Sequence, residues 1–302
     1  MPRTLIADIS HFLERTRTAV NAELERWSVE ITRDPNDEVA AAISYSLQAS
    51  GKRFRPALLL GAYEELGGRG EASELAAAIE IVHTYSLVHD DLPCMDDDDL
   101  RRGRPTTHRR FDVPTATVAG YQMVMLSARV LAAGAARLEL DAQCVSAMAL
   151  ELYRAAGASG MVGGQVLDLE AEGKEISLEE LERIHQAKTG ALITASAVIG
   201  AMAAGTTDRT IATIREYGAH VGLAFQIVDD VLDATGTSRE LGKTAGKDAA
   251  QQKPTFATLL GIDRAQAAAN EHTDRAVALL RQHGLDCRIL EGLAKFIVER
   301  DR

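Results

Sequence analysis

Apolar residues in this 302-residue chain recur at helical spacing in one segment after another. No run alternates apolar and polar residues with the period of two that a half-buried strand requires. The helical patterns are long, at roughly residues 71–92, 112–139, 141–156 and 207–233. Composition agrees: hydrophobic residues make up 46%, aromatics only 4%, and Ala is abundant. Ala and Leu favour helix, whereas strands favour β-branched and aromatic residues.

Local punctuation fits the same reading. Gly67-Gly68 follow the run 54–66 as a helix stop. Ser177 with Glu180 forms a capping box ahead of 181–199, and Asp263 with Gln266 does the same for the stretch up to Leu280. No internal repeat, low-complexity tract or Pro/Gly/Ser-rich linker divides the chain. The expectation is an all-α protein, a single domain over 1–302 built as one bundle of about ten or more helices.

A net charge of -11 argues against nucleic acid, whose binding needs Lys and Arg against phosphates. Three widely spaced cysteines, Cys94, Cys144 and Cys287, read as free thiols in a reducing cytoplasm. The N-terminus carries Asp8 and no long apolar core, so it reads as a poor signal peptide. The longest weakly polar stretch, 191–205, is too short to span a bilayer, so no transmembrane segment is expected.

Two acidic clusters are the candidates for chemistry, set against a solvated loop for the first and an ordinary exposed acidic helix face for the second. In the first, Asp90, Asp91, Asp96, Asp97, Asp98 and Asp99 follow an unbroken apolar pattern through Ile79, Ile81, Val82, Leu87 and Val88, and Pro93 ends or bends that helix. Six carboxylates so close repel one another unless a cation is present. Their oxygens suit Mg²⁺ or Ca²⁺, and the EF-hand spacing is absent. In the second, Gln226, Asp229, Asp230 and Asp233 follow i, i+3, i+4, i+7 and so share one helix face. Val221, Leu223, Phe225, Ile227, Val228, Val231 and Leu232 cover much of the rest, the pattern of a buried helix.

Basic groups accompany the acids: Lys52, Arg53 and Arg55 in Gly51-Lys52-Arg53-Phe54-Arg55-Pro56, the run Arg101-Arg102-Gly103-Arg104, Lys188-Thr189-Gly190 in mid-helix, and Lys243, Lys247 and Lys253. Any one is an ordinary charged surface; together they offer a second anion site suited to phosphate. Two other readings compete. Glu80 with His83 and Glu182 with His185 are E-x-x-H pairs of the kind di-iron bundles carry. A non-catalytic helical scaffold is the third.

At these residues the sequence resembles the trans-isoprenyl diphosphate synthases, close to bacterial farnesyl and geranylgeranyl diphosphate synthases. The resemblance runs from Gly51 to the C-terminus. It rests on the Gly51–Pro56 motif, the D-D-x4-D segment at 90–96 with Arg101-Arg102-Gly103, Gly163-Gly164-Gln165 with Asp168, Lys188-Thr189, and Phe225-Gln226 with Asp229-Asp230 and Asp233. It implies a homodimer that joins isopentenyl diphosphate to an allylic diphosphate, using about three Mg²⁺ ions, with Mn²⁺ as an alternative. Asp90, Asp96 and Asp229 would ligate the metal, and Asp91, Asp230 and Asp233 would complete or orient that shell. Arg101 would bind the allylic diphosphate with Lys188, Lys243 and Lys253, while Gly51, Lys52, Arg55, His83 and Arg102 would hold isopentenyl diphosphate. Thr189 and Gln226 would face the reacting carbons. One departure stands out: Gly120-Tyr121 stands where the family often has Gly-Asp.

The resemblance also bears on product length. Ser86 and Tyr85 lie four and five residues before Asp90, about 6 and 7.5 Å down the helix. A bulky residue at the Tyr85 position accompanies farnesyl products in the family, so farnesyl diphosphate is expected, with geranylgeranyl diphosphate as the alternative. Met123 and Met125 read as core packing or as the far wall of the same channel.

Overall fold

The computed structural model describes residues 3–34, 36–235 and 253–299. Its helices are α1 (Arg3–Ile31), α2 (Glu38–Leu47), α3 (Phe54–Glu65), α4 (Ser73–Asp90), α5 (Thr107–Arg110), α6 (Val113–Arg137), α7 (Ala142–Ala156), α8 (Met161–Ala171), α9 (Leu178–His185), α10 (Ala191–Ala203), α11 (Asp208–Thr235), α12 (Phe256–Leu260), α13 (Ile262–Gln282) and α14 (Arg288–Glu299). A π-helical turn, Gln186–Gly190, joins α9 to α10. The chain is all-α as its periodicity predicts. Among the described residues the exception is one two-residue hairpin, β1 (Leu100–Arg101) against β2 (Arg104–Pro105).

The chain packs as two compact units. One comprises Leu13–Ala57 and Gly70–Asp141. Its centre is α4, where Leu75, Ala76, Ile79, Ile81 and Val82 are fully buried. Helices α2 and α6 pack on α4, as expected for a helix apolar nearly all round. Helix α6 is long and apolar enough to cross a membrane by length and composition, but half of that window is buried in the protein. Met123 on α6 is fully buried, as core packing predicts; Met125 is 64% exposed, so that expectation fails for it.

The other unit comprises Met1–Phe12, Leu58–Arg69 and Ala142–Arg302. It is built on α10 and α11, with α13 along α11. The Ser177–Glu180 capping box forms as read, with Glu180 accepting from the Ser177 N–H and Ser177 accepting from the Glu180 N–H. The helix it starts stops at His185, where the π-turn intervenes. The Asp263–Gln266 box does not form. Helix α13 begins at Ile262, so Asp263 lies inside the first turn, and Thr255 with Thr258 boxes the start of α12 instead. Gly67 ends α3 with φ 96°, as its sequence signals. No disulfide links the three cysteines.

Candidate active site

Helix α4 delivers the first acids. Beyond Asp90 the chain folds back on the helix end: the Asp96 N–H donates to the Asp90 carbonyl at 2.9 Å, and the Asp98 N–H to the Asp91 carbonyl at 3.2 Å. The loop thus draws the backbones of Asp90 and Asp96 together, although five residues separate them. Asp91 has a different task. It is 3% exposed and accepts from Arg101 Nε at 2.9 Å. Burial pushes its carboxyl up; Arg101 opposes this without cancelling it, and Asp98 and Asp96 add to the rise.

The hairpin explains why two adjacent arginines serve different partners. Arg102 and Gly103, its two turn residues, have φ of 53° and 75°, the conformation of a tight primed turn. Arg101, the last residue of β1, meets Asp91, whereas Arg102 in the turn donates to the Ser50 carbonyl. A Cβ at Gly51 would lie 2.7 Å from Arg102 Nη1, so a side chain there would displace the tip of Arg102.

Arg53 is given no substrate by the resemblance, yet it organises the loop that carries Lys52 and Arg55. Its φ is 52°, and its buried guanidinium donates to Glu80 at 2.6 Å, Asn21 at 2.9 Å and the Ala49 carbonyl at 2.9 Å. Glu80 is therefore an ion-pair partner, which removes it from the E-x-x-H reading. His83 faces Arg55, 3.3 Å from Nη1 to Nε2. Burial, helped by Arg55, Arg102, Arg101 and Arg53, holds His83 well below the usual imidazole range, so it is a neutral acceptor. Tyr85 and Ser86 lie half-buried on the same helix.

In the other unit, Asp168 on α8 gathers the lysines. Lys188 Nζ donates to its Oδ2 at 2.6 Å, and Lys253 Nζ lies 3.7 Å from the same oxygen and 3.3 Å from Glu172. Burial alone would raise the Asp168 carboxyl, but Lys188 and Lys253 outweigh it and hold the group below its ordinary value. Lys188 sits in the π-turn rather than in mid-helix. A Cβ at Gly164 would lie 2.2 Å from the Lys188 backbone nitrogen, so only glycine lets α8 approach that turn. Lys243 and Lys247 lie outside the described residues.

From the same turn, Thr189 Oγ1 donates to Gln226 Oε1 at 2.8 Å, and Gln226 Nε2 donates to Asp230 Oδ1 at 2.9 Å. The four polar residues of α11 do not present one common face to solvent. Asp230 is 4% exposed and accepts the Phe256 N–H, whereas Asp229 and Asp233 are half-buried. His185 also escaped notice except as half of an E-x-x-H pair. It is buried, stacked on Phe256 with ring centroids 5.5 Å apart, and its Nε2 is 3.7 Å from Asp230. Neither ring nitrogen has a hydrogen-bond partner among the described residues, and burial lowers its pKa to about 4. Its placement depends on Phe256, 71 residues away, which no local pattern signals.

The aspartates supply carboxylate oxygens, the donor type that suits a hard cation such as Mg²⁺, but among the described residues no three of the carboxylate, imidazole and thiol groups converge as a ready metal site. Each unit sets a carboxylate against a fixed cation, Asp91 with Arg101 in one and Asp168 with Lys188 in the other, a pattern suited to the class of all-helical enzymes that handle diphosphates. Within that class the chain belongs to the polyprenyl synthetase family, whose model matches residues 36–284. It is 40% identical to the farnesyl diphosphate synthase of Escherichia coli, over 98% of this chain and all of that one. It is 41% identical to geranylgeranyl pyrophosphate synthase 11 of Arabidopsis thaliana, over 87% of this chain and 74% of that one. Among solved structures, an FPP/GFPP synthase from Zymomonas mobilis matches with a TM-score of 0.84 and 32% identity, covering 97% and 99% of the two chains. A geranyltransferase from Helicobacter pylori, complexed with magnesium and isoprenyl diphosphate, matches with a TM-score of 0.77 and 30% identity over 94% and 96%.

Proposed function

We propose that the chain is a Mg²⁺-dependent short-chain trans-prenyl diphosphate synthase, one synthase domain over 1–302. In this reading it condenses isopentenyl diphosphate with dimethylallyl and then geranyl diphosphate to give farnesyl diphosphate. The observation that carries this reading is the closed Asp90–Asp96 loop with Asp91 turned onto Arg101.

Asp90, Asp96 and Asp229 would hold the metal, and Asp91, Asp230 and Asp233 would orient the groups around it. Mg²⁺ held there would supply positive charge against the departing diphosphate. Arg101 binds the allylic diphosphate together with Lys188, Lys243 and Lys253. The pairing with Asp91 keeps Arg101 firmly charged despite burial. Gly51, Lys52, Arg55, His83 and Arg102 hold isopentenyl diphosphate, and Arg53, locked to Glu80, shapes their loop. The Thr189 hydroxyl proton is committed to Gln226, so what its oxygen offers elsewhere is lone-pair density. That density stabilises the allylic cation while the isopentenyl double bond attacks it. The proton lost afterwards goes to the departing diphosphate.

Tyr85 is the floor that stops growth. Its half-buried ring lies just over one turn below Asp90. A homodimer is part of the proposal, supported by the exposed apolar residues Val118, Tyr121 and Met125 along one side of α6. Incubation with Mg²⁺, isopentenyl diphosphate and dimethylallyl diphosphate, followed by product sizing, tests the reading. Farnesyl diphosphate is the expected product. A geranylgeranyl product would replace the floor assignment, and no prenyl product at all would overturn the reading.

A further inference from the structure

Tyr85 does not stand alone. Its ring meets His89, one turn later on α4, edge to face with centroids 5.1 Å apart and planes at 80°. His89 meets Tyr121 of α6 in the same way, at 5.3 Å and 81°. The middle ring is fixed to the backbone of α6, because His89 Nε2 lies 3.1 Å from the Thr117 carbonyl. A carbonyl can only accept, so Nε2 carries the proton and donates. Residue 120 has no side chain, and a Cβ there would lie 2.0 Å from His89 Nε2. Any residue but glycine at 120 would therefore push the His89 ring out. Gly120 makes the socket, His89 fills it, and a tyrosine packs on either side.

We infer that Tyr121, acting through His89, is a positioning residue for product length: it holds the Tyr85 ring across the path of the growing chain. The inference rests on the reading of Tyr85 as the floor. A single tyrosine on a helix can swing between staggered rotamers to admit another isoprene unit. With its edge packed on a ring bolted to the neighbouring helix, Tyr85 swings only by giving up that contact. Tyr121, itself 61% exposed, packs the outer side of that ring: without it, His89 is held by the Thr117 hydrogen bond alone, and Tyr85 loses part of the backing that resists its swing. An aspartate at 121, the residue the family often has there, supplies no ring to stack. Position 121 is thus where this chain adds a second layer to its floor.

The test is the ratio of geranylgeranyl to farnesyl product made from isopentenyl and dimethylallyl diphosphates. Tyr121→Ala should raise it by about two- to tenfold, the worth of one edge-to-face contact. Tyr121→Phe, which keeps the ring, should leave the ratio at the wild-type value. Tyr85→Ala should raise it further, and the Tyr85→Ala/Tyr121→Ala double variant should match Tyr85→Ala, since the stop has nothing left to hold. Should Tyr121→Ala not fold, His89→Leu removes the ring both tyrosines touch and should lengthen products in the same way. An effect of Tyr85→Ala with none from Tyr121→Ala or His89→Leu would overturn the clamp and leave the floor standing. No effect of Tyr85→Ala would overturn the floor and the clamp together.

Discussion

The Asp230 carboxylate accepts the backbone N–H of Phe256 at 2.9 Å. Its other oxygen accepts from Gln226, so Asp230 ties the start of α12 to α11 and to the Thr189 hydroxyl. Its neighbour Asp229 is assigned to the metal. In the proposed reading two adjacent aspartates of one motif thus have separate work, Asp230 in architecture and Asp229 in chemistry.

This division predicts separable phenotypes. Asp230→Ala leaves the buried Phe256 N–H without its acceptor and should destabilise the fold by about 1–3 kcal/mol. Asp229→Ala should cost less than Asp230→Ala, because Asp229 is half-buried whereas Asp230 is 4% exposed. Urea unfolding of both variants checks this; equal losses would mean that both acids are architectural.

Asp168 anchors Lys188 and Lys253, so Asp168→Asn should raise the KM for the allylic diphosphate more than it lowers kcat. It should also alter the acid limb of stability. The folded-state carboxyl is held below its ordinary value, so the unfolded chain takes up the proton first as pH falls. The stability Asp168 contributes is present above about pH 4, the ordinary Asp value, and disappears as pH falls through the depressed one. The stability gap between wild type and Asp168→Asn should therefore narrow below about pH 4. A gap independent of pH would show that the lysines do not depress this group.

The Arg53–Glu80 pair is almost fully buried on both sides. Arg53→Ala strands the Glu80 charge in the core and should cost about 3–5 kcal/mol, whereas replacing both residues by apolar ones of similar volume should cost much less. In the double variant the loop bearing Lys52 and Arg55 loses its anchor. KM for isopentenyl diphosphate should then rise even where stability recovers. A normal KM there would separate Arg53 from substrate binding.

What could be read from the sequence was what local pattern encodes. Helices α4, α6, α7 and α11 fall within a few residues of their apolar periods, and the Ser177–Glu180 cap is satisfied within one turn. The acid clusters stand out because carboxylates at the end of a buried helix are costly. Less legible was the direction in which each acid turns. Asp230 points to a residue 26 positions on, Asp91 to Arg101 across a loop, and Arg53 to Asn21 and Glu80 on other helices. Those choices are set by tertiary contacts that leave no period. The Asp263 cap failed for a related reason: Gly261, with φ 79°, starts α13 earlier than the Asp–Gln spacing suggested. The π-turn at Gln186–Gly190 interrupts an apolar pattern that reads as continuous, and Gly164 is its one sequence trace.

The central claim is that the two aspartate clusters hold the metal that lets the diphosphate leave. Its most direct measurement is the rate of diphosphate release from geranyl and isopentenyl diphosphates, in saturating Mg²⁺, for Asp90→Ala and Asp229→Ala beside wild type. The account predicts that each variant unfolds as wild type does and releases diphosphate slower by orders of magnitude. Near-wild-type release by either folded variant would contradict it.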